Sequence, residues 1–250
     1  MIELPGDTVH LWHAGIGVDD AEYERLGSVL NECEWTRARR FLSERHRHDY
    51  VAARGQLRWL LARYLSVAPG SIRFALGEHG KPHLANAPPD QELVFNLSHT
   101  GPHVLFAVGR DSLLGVDIEA WRNISNLNSM VERCFAPAEQ RYWSSLDADS
   151  RTPAFYAFWT RKEAFVKAVG RGISLGLEHC VIGLEPRLHF ASLPRGFGDI
   201  SEWSLLDIDV GDGVSAALAV RPACRHVFYG ELARQWWRDD GFAATARRIQ

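Results

Sequence analysis

Residues 115–119 read Gly-Val-Asp-Ile-Glu, and strand alternation would send Val116 and Ile118 to one face and Asp117 and Glu119 to the other. Two carboxylates then project together. In isolation, such a D-x-E spacing is an ordinary strand emerging into water. A second group changes its weight. Within residues 155–169, Trp159, Glu163 and Lys167 follow at i, i+4 steps, which puts an aromatic ring, a carboxylate and an ammonium on one helical stripe. Alone, Glu163 and Lys167 would be a surface ion pair. If the stripe faces the strand, three carboxylates converge, and a hard divalent cation with oxygen ligands relieves their repulsion. Magnesium suits such a site. It rarely fills its shell from protein alone, so a phosphate-bearing substrate completes it, with Lys167 free to neutralise a further phosphate oxygen. The pattern points to phosphoryl chemistry.

Other polar groups gain meaning beside these. Asn96-Leu97-Ser98-His99 ends a predicted strand, where Ser98 and His99 can both offer donors to an anion. Gly80-Lys81-Pro82 reads as a loop. The chain has 25 arginines and three lysines, namely Lys81, Lys162 and Lys167. A lysine kept in so arginine-rich a chain suggests a need for a compact ammonium, such as a point charge on a phosphate. Zinc is not indicated. The pairs His79/His83 and His99/His103 fall on predicted loops and strands, where an i, i+4 spacing does not converge, and the four cysteines form no C-x-x-C pair.

The elements that must position these groups follow from periodicity. Residues 34–65 carry Phe41, Tyr50, Val51, Leu57, Leu60, Leu61 and Tyr64 near the 3.6 period, ended by Pro69-Gly70. Short β runs follow at 72–76, 94–97 and 104–108, with Thr100-Gly101-Pro102 as the hairpin turn between the last two. An apolar run at 113–118 leads to a second helical region at 130–169, broken near 147–153. Strands return at 181–184, 203–210 and 214–220, the last two joined by Gly211-Asp212-Gly213. The order helix-then-sheet thus occurs twice. The expectation is an α+β fold of two similar lobes in pseudo-twofold arrangement, residues 1–112 and 113–250, with a ligand cleft between them. The tail from Gln235 gives no readable pattern.

A chain of 250 residues, 46% hydrophobic and 24% charged, can bury a sizeable core. Its apolar runs are interrupted by arginines and its first residues include Glu3 and Asp7, so no membrane span or leader is expected and the cytoplasm is the expected compartment. Nucleic acid is not an expected partner, because acidic residues are interspersed among the arginines.

Taken together, G-K-P, F-N-L-S-H, G-V-D-I-E and F-W-T-R-K-E-A-F-V-K-A, in this order, resemble a 4'-phosphopantetheinyl transferase of the two-lobed, surfactin-synthetase-activating (Sfp-like) type. The resemblance runs from about Arg37 to Val220. It implies coenzyme A as substrate between the lobes, with its pyrophosphate bridged to magnesium on Asp117, Glu119 and Glu163. It also implies Glu163 as general base toward a serine of an apo carrier protein, Lys167 and His99 on phosphate oxygens, and 3',5'-ADP as leaving group. Ser98 and the Lys81-Pro82 step match residues near the nucleotide end, and Arg37 matches a position that grips the 3'-phosphate. Asp49 departs from the pattern, standing where some relatives carry a phosphate-binding arginine. Both halves lie in one chain, so the resemblance implies a monomer. An acidic recognition helix on the carrier would suit an arginine-rich surface. Two alternatives compete with it. A magnesium-dependent phosphoester hydrolase could use the same carboxylates, although the motif order argues against it; an inactive carrier or coenzyme A binding module would have no need of the full carboxylate set.

Overall fold

The computed structural model describes residues 2–85, 93–172, 175–234, 236–237 and 244–248. Each lobe repeats one order of elements. The first has β1 (Thr8–Gly15), α1 (Asp20–Gly27), α2 (Glu32–Ala38), α3 (Glu44–Leu65), a 3-10 turn at Pro69–Ser71, β2 (Phe74–Leu76), β3 (Pro82–Leu84), β4 (Leu93–Thr100) and β5 (His103–Arg110). The second has β6 (Leu113–Ala120), α4 (Leu127–Cys134), α5 (Pro137–Ser145), α6 (Ala148–Val169), a 3-10 turn at Leu177–His179, β7 (Val181–Gly183), β8 (His189–Ser192), β9 (Ser204–Asp207) and β10 (Val214–Arg221). Two further strands, β11 (His226–Leu232) and β12 (Ala244–Arg248), close the chain. The sheets run β12-β11-β1-β5-β4 and β6-β10-β9, so the shared part of each has the same strand order. The protein is α+β with two similar lobes.

β11 runs parallel to β1, pairing Thr8 with His226 through His13 with Glu231. The first sheet therefore draws strands from both sides of residue 112. Trp236 and Trp237 are buried in the same core as α3, so this much of the tail packs on the first lobe; Gln235 and residues 238–243 and 249–250 lie outside the described residues.

Alternation on the strands explains the layering. On β5, Val104, Phe106 and Val108 join the core under α3, while Leu105 and Ala107 face the second sheet. On β6, Leu114, Val116 and Ile118 meet that same interface, leaving 115, 117 and 119 toward α6. The two sheets thus pack face to face between two long helices. Leu11, Leu105, Leu114, Val116, Ile118 and Leu218 are all fully buried there. At ~1.5–3 kcal/mol for each such side chain, this interface holds the lobes as one body.

Both long helices span 22 residues and end on a left-handed residue, Ser66 in the first and Gly170 in the second. Several boundaries differ from the sequence expectation. The helix expected at 34–65 is two helices, because the Ser43 side chain accepts from the His46 amide and starts α3 afresh. The break expected at 147–153 is confined to its first residues: Asp147 caps Ser150, and Pro153 sits inside α6 at the loss of one hydrogen bond.

Candidate active site

Gly115 decides how α6 approaches β6. A Cβ there would run into the backbone of Ala164 and Ala168, so only glycine lets the helix lie directly on the strand. This close seat brings the stripe Trp159, Glu163 and Lys167 over the Asp117/Glu119 face. Lys167 Nζ lies 2.6 Å from Asp117 Oδ1 and donates to Ser98 Oγ at 2.8 Å. Ser98 in turn donates to Asp117 Oδ1 at 2.8 Å. The i, i+4 pair Glu163–Lys167 that the sequence suggests gives way to a pair between elements, which leaves less of the ammonium free than expected.

A cavity of about 490 Å³ between the lobes is lined by these groups, with Arg37, Tyr50 and Arg54 on its first-lobe wall and Pro82 and His99 beside them. Arg37 is exposed, with its guanidinium 5.7 Å from the Tyr50 ring centre. His99 lies at the mouth; desolvation lowers its pKa, with Lys167 and His46 acting in the same direction and Asp49 opposing them.

The carboxylates are unevenly satisfied. Glu119 accepts from Thr100 Oγ1 at 3.3 Å, and its pKa is raised, first by burial and then by Asp117. Glu163 is pushed up to about 7 by burial, then by Asp117, with Lys167 opposing. Asp117 Oδ2 and Glu163 Oε1 are buried with no hydrogen-bond partner. Among the described residues no three His, Cys, Asp or Glu side chains form a ready-made metal cage. The three carboxylates line one cavity but differ in their partners: Thr100 donates to Glu119, Lys167 pairs with Asp117, and Glu163 is coupled to Asp117, Lys167 and Glu119 through charge. Two orphaned, buried carboxylate oxygens on residues that line one cavity are nevertheless oxygen donors of the kind a hard divalent cation takes, and they fit one.

The other two lysines have structural partners. Lys81 Nζ donates to the carbonyls of Leu114 and Ala168, each at 2.8 Å, so its ammonium is engaged by backbone instead of projecting to a phosphate. Lys162 is fully buried, 2.8 Å from Glu139 and donating to the carbonyls of Leu177 and Cys180. Sequence reasoning missed these partners, because a backbone carbonyl leaves no mark on residue identity. It also missed Asn96 and Thr100 as structural partners of β6, and the role of Gly115, for which a glycine inside a strand is the available signal.

Comparison with known proteins shows the family. Residues 113–219 match the 4'-phosphopantetheinyl transferase superfamily, and residues 18–110 match the family "4'-phosphopantetheinyl transferase, N-terminal". The 4'-phosphopantetheinyl transferase HetI of Nostoc sp. is 36% identical over 219 residues, covering 88% of this chain and 90% of that protein. This chain belongs to the 4'-phosphopantetheinyl transferase family. Within the family it is also similar to Sfp of Bacillus subtilis, at 31% identity over 157 residues, 63% of this chain and 67% of that one. The family member AcpT of Escherichia coli is 35% identical over 113 residues, 45% of this chain and 55% of the other.

Proposed function

We propose that this chain transfers the 4'-phosphopantetheine arm of coenzyme A to a serine of an apo carrier protein. The observation that carries the reading is the cavity between the lobes, into which Asp117, Glu119, Glu163 and Lys167 all project. Asp117, Glu119 and Glu163 would hold magnesium. Bound there, the ion would supply positive charge to the pyrophosphate of coenzyme A.

The chain's own groups divide the remaining work. Glu163 takes the proton of the carrier serine as its oxygen attacks the β-phosphorus; the bond from that phosphorus to the α-phosphate oxygen breaks and 3',5'-ADP leaves. Without the ion, burial and then Asp117 raise its pKa to about 7; a cation held beside it would draw that value down and favour the ionised form that a base requires. Lys167, fixed by Asp117 and Ser98, keeps its charge directed along one wall of the cavity. His99, kept largely neutral near pH 7 by its lowered pKa, offers one N–H to a phosphate oxygen. Arg37 stands on the wall suited to the 3'-phosphate, and Pro82 lines the same cavity at the nucleotide end, while Lys81 beside it acts through the backbone carbonyls it holds.

Both walls come from one chain, so the working unit is a monomer. No helix among the described residues is long and apolar enough to cross a membrane, and the proposed setting is the cytoplasm.

The test is the intact mass of apo carrier proteins after incubation with this chain, coenzyme A and magnesium, beside metal-free and Glu163→Ala controls. A phosphopantetheine increment that vanishes in both controls is the expected result. Coenzyme A hydrolysed with no carrier modified would replace the reading with a hydrolase, and coenzyme A bound but unchanged would replace it with a binding module.

A further inference from the structure

The two sheets present unpaired edges to each other. β4 is the outer strand of the first sheet and β6 the outer strand of the second, and no backbone ladder joins them. An open edge leaves N–H and C=O groups that must find partners. Here side chains of the first lobe supply them. Asn96 Oδ1 accepts from the Val116 amide at 2.9 Å, and Thr100 Oγ1 accepts from the Ala120 amide at 3.1 Å. Lys81 Nζ donates to the Leu114 carbonyl. Between these contacts, Ser98 donates to Asp117 and Thr100 to Glu119. Asn96, Ser98 and Thr100 alternate along β4 and therefore share one face, a period of two matched to the period of β6.

We infer that Asn96, Thr100 and Lys81 are positioning residues, forming with Ser98 a side-chain ladder that holds the carboxylate-bearing strand β6 against the first lobe. A backbone ladder would bring the edges to about 4.8 Å and close the seam. Side chains instead hold the strands further apart while fixing both carboxylates. Thr100 is the rung that matters most for the ion, because one hydroxyl orients Glu119 and receives the amide of the next residue. Lys81 reaches furthest: its two carbonyl partners lie on β6 and on α6, so one ammonium ties the first lobe to both carriers of the site. The inference rests on the functional reading above for what is positioned, and on the contacts alone for how.

The experiment compares wild type, Thr100→Val and Thr100→Ser. Magnesium binding to the protein is measured by calorimetry, with amide hydrogen exchange at Ala120 and Val116 as a second readout and phosphopantetheine transfer as a third. Valine keeps the shape and removes the hydroxyl. Thr100→Val should bind magnesium on the order of 10-fold more weakly, as losses of groups that orient metal ligands do. Its Ala120 amide should exchange faster while Val116 stays protected, and Thr100→Ser should restore both. Asn96→Ala should show the reverse exchange pattern, with Val116 released. Wild-type magnesium affinity in Thr100→Val, unchanged exchange at Ala120, or no rescue by serine would each overturn the ladder. So would a wild-type chain that binds no magnesium, since nothing would then be positioned. If wild type binds magnesium yet transfers nothing, the functional reading fails, while the ratio of the affinities still decides the ladder.

Discussion

The long helices of the two lobes are built alike around a buried cation and differ one residue further on. In the first lobe, Arg58 of α3 is fully buried, 2.6 Å from Glu34 and donating to the carbonyls of Pro69 and Ile72. In the second, Lys162 of α6 is fully buried against Glu139 and donates to the carbonyls of Leu177 and Cys180. Glu34 and Glu139 occupy the same place, the third residue of the preceding helix, where each also accepts from the amide at the helix start. Both knots tie the long helix to the helix before it and to the 3-10 turn after it. The next residue is Trp59 in one lobe and Glu163 in the other. The strands under the helices diverge in the same sense: the edge of β1 is closed by β11, whereas β6 has only side chains along its corresponding edge. One scaffold thus serves packing in the first lobe and chemistry in the second, and a closed edge accompanies the former.

The sharpest way to break this comparison is to remove the chemistry without the scaffold. Glu163→Gln keeps the shape of the side chain and abolishes its basicity. Transfer should fall by ~10²–10⁴-fold in kcat, the usual contribution of a positioned general base, with the melting temperature not lowered. Single-turnover mass spectrometry of the carrier measures it. A variant within a few-fold of wild type would remove Glu163 from the mechanism.

The knots should behave oppositely. Glu34→Ala strands Arg58 and Arg54, which also lies 2.8 Å from Glu34, and Glu139→Ala strands Lys162. Each leaves a buried cation uncompensated, a loss of ~3–5 kcal/mol. Because the inter-sheet core joins the lobes, both variants should show a single, lowered transition in denaturant. Two separate transitions in either variant would mean that the lobes unfold independently.

Gly115→Ala lies between these extremes. Its Cβ cannot coexist with the backbone of α6, so the helix must lift from the strand, at ~1–3 kcal/mol for overpacking of this kind. Activity should fall further than stability alone explains, because Glu163 and Lys167 move with the helix. Equal activity per folded molecule in the variant would show that the close seat serves packing only.

These contrasts also mark what a sequence displays. The Asp117/Glu119 alternation, the Trp159–Glu163–Lys167 stripe and the two hairpin turns are set by local periodicity, and all were legible. β1 and β11 were not, since their pairing joins residues more than 200 positions apart and neither segment carries a distinctive turn. The lysines misled for a related reason. Their scarcity signals a constraint, but for Lys81 and Lys162 the partners include carbonyls on other elements, which only the fold brings near. Asp117 and Glu119 could be seen to share a face, but the Ser98 and Thr100 hydroxyls that occupy them belong to the other lobe.

The lobes should also differ in how pH acts on them in the metal-stripped protein. Glu163 has its pKa raised from 4.5 to about 7, so the unfolded chain ionises first; its contribution is full below about 4.5 and is lost as pH rises toward 7. His10, bonded through Nδ1 to the Tyr64 hydroxyl, is lowered by burial from 6.5 to about 4, so its contribution is full above about 6.5 and is lost as pH falls toward 4. Glu163→Gln should therefore raise the melting temperature at about pH 8 and leave it near wild type at about pH 4.5, the difference vanishing with the carboxylate's ionisation. His10→Gln should instead flatten the acid side of the profile. A Glu163→Gln effect of the same size at both pH values would mean that the gain comes from packing and that the carboxylate carries no strain from its charge. A gain confined to the alkaline side would locate that strain in the one lobe whose long helix turns a carboxylate into the cleft.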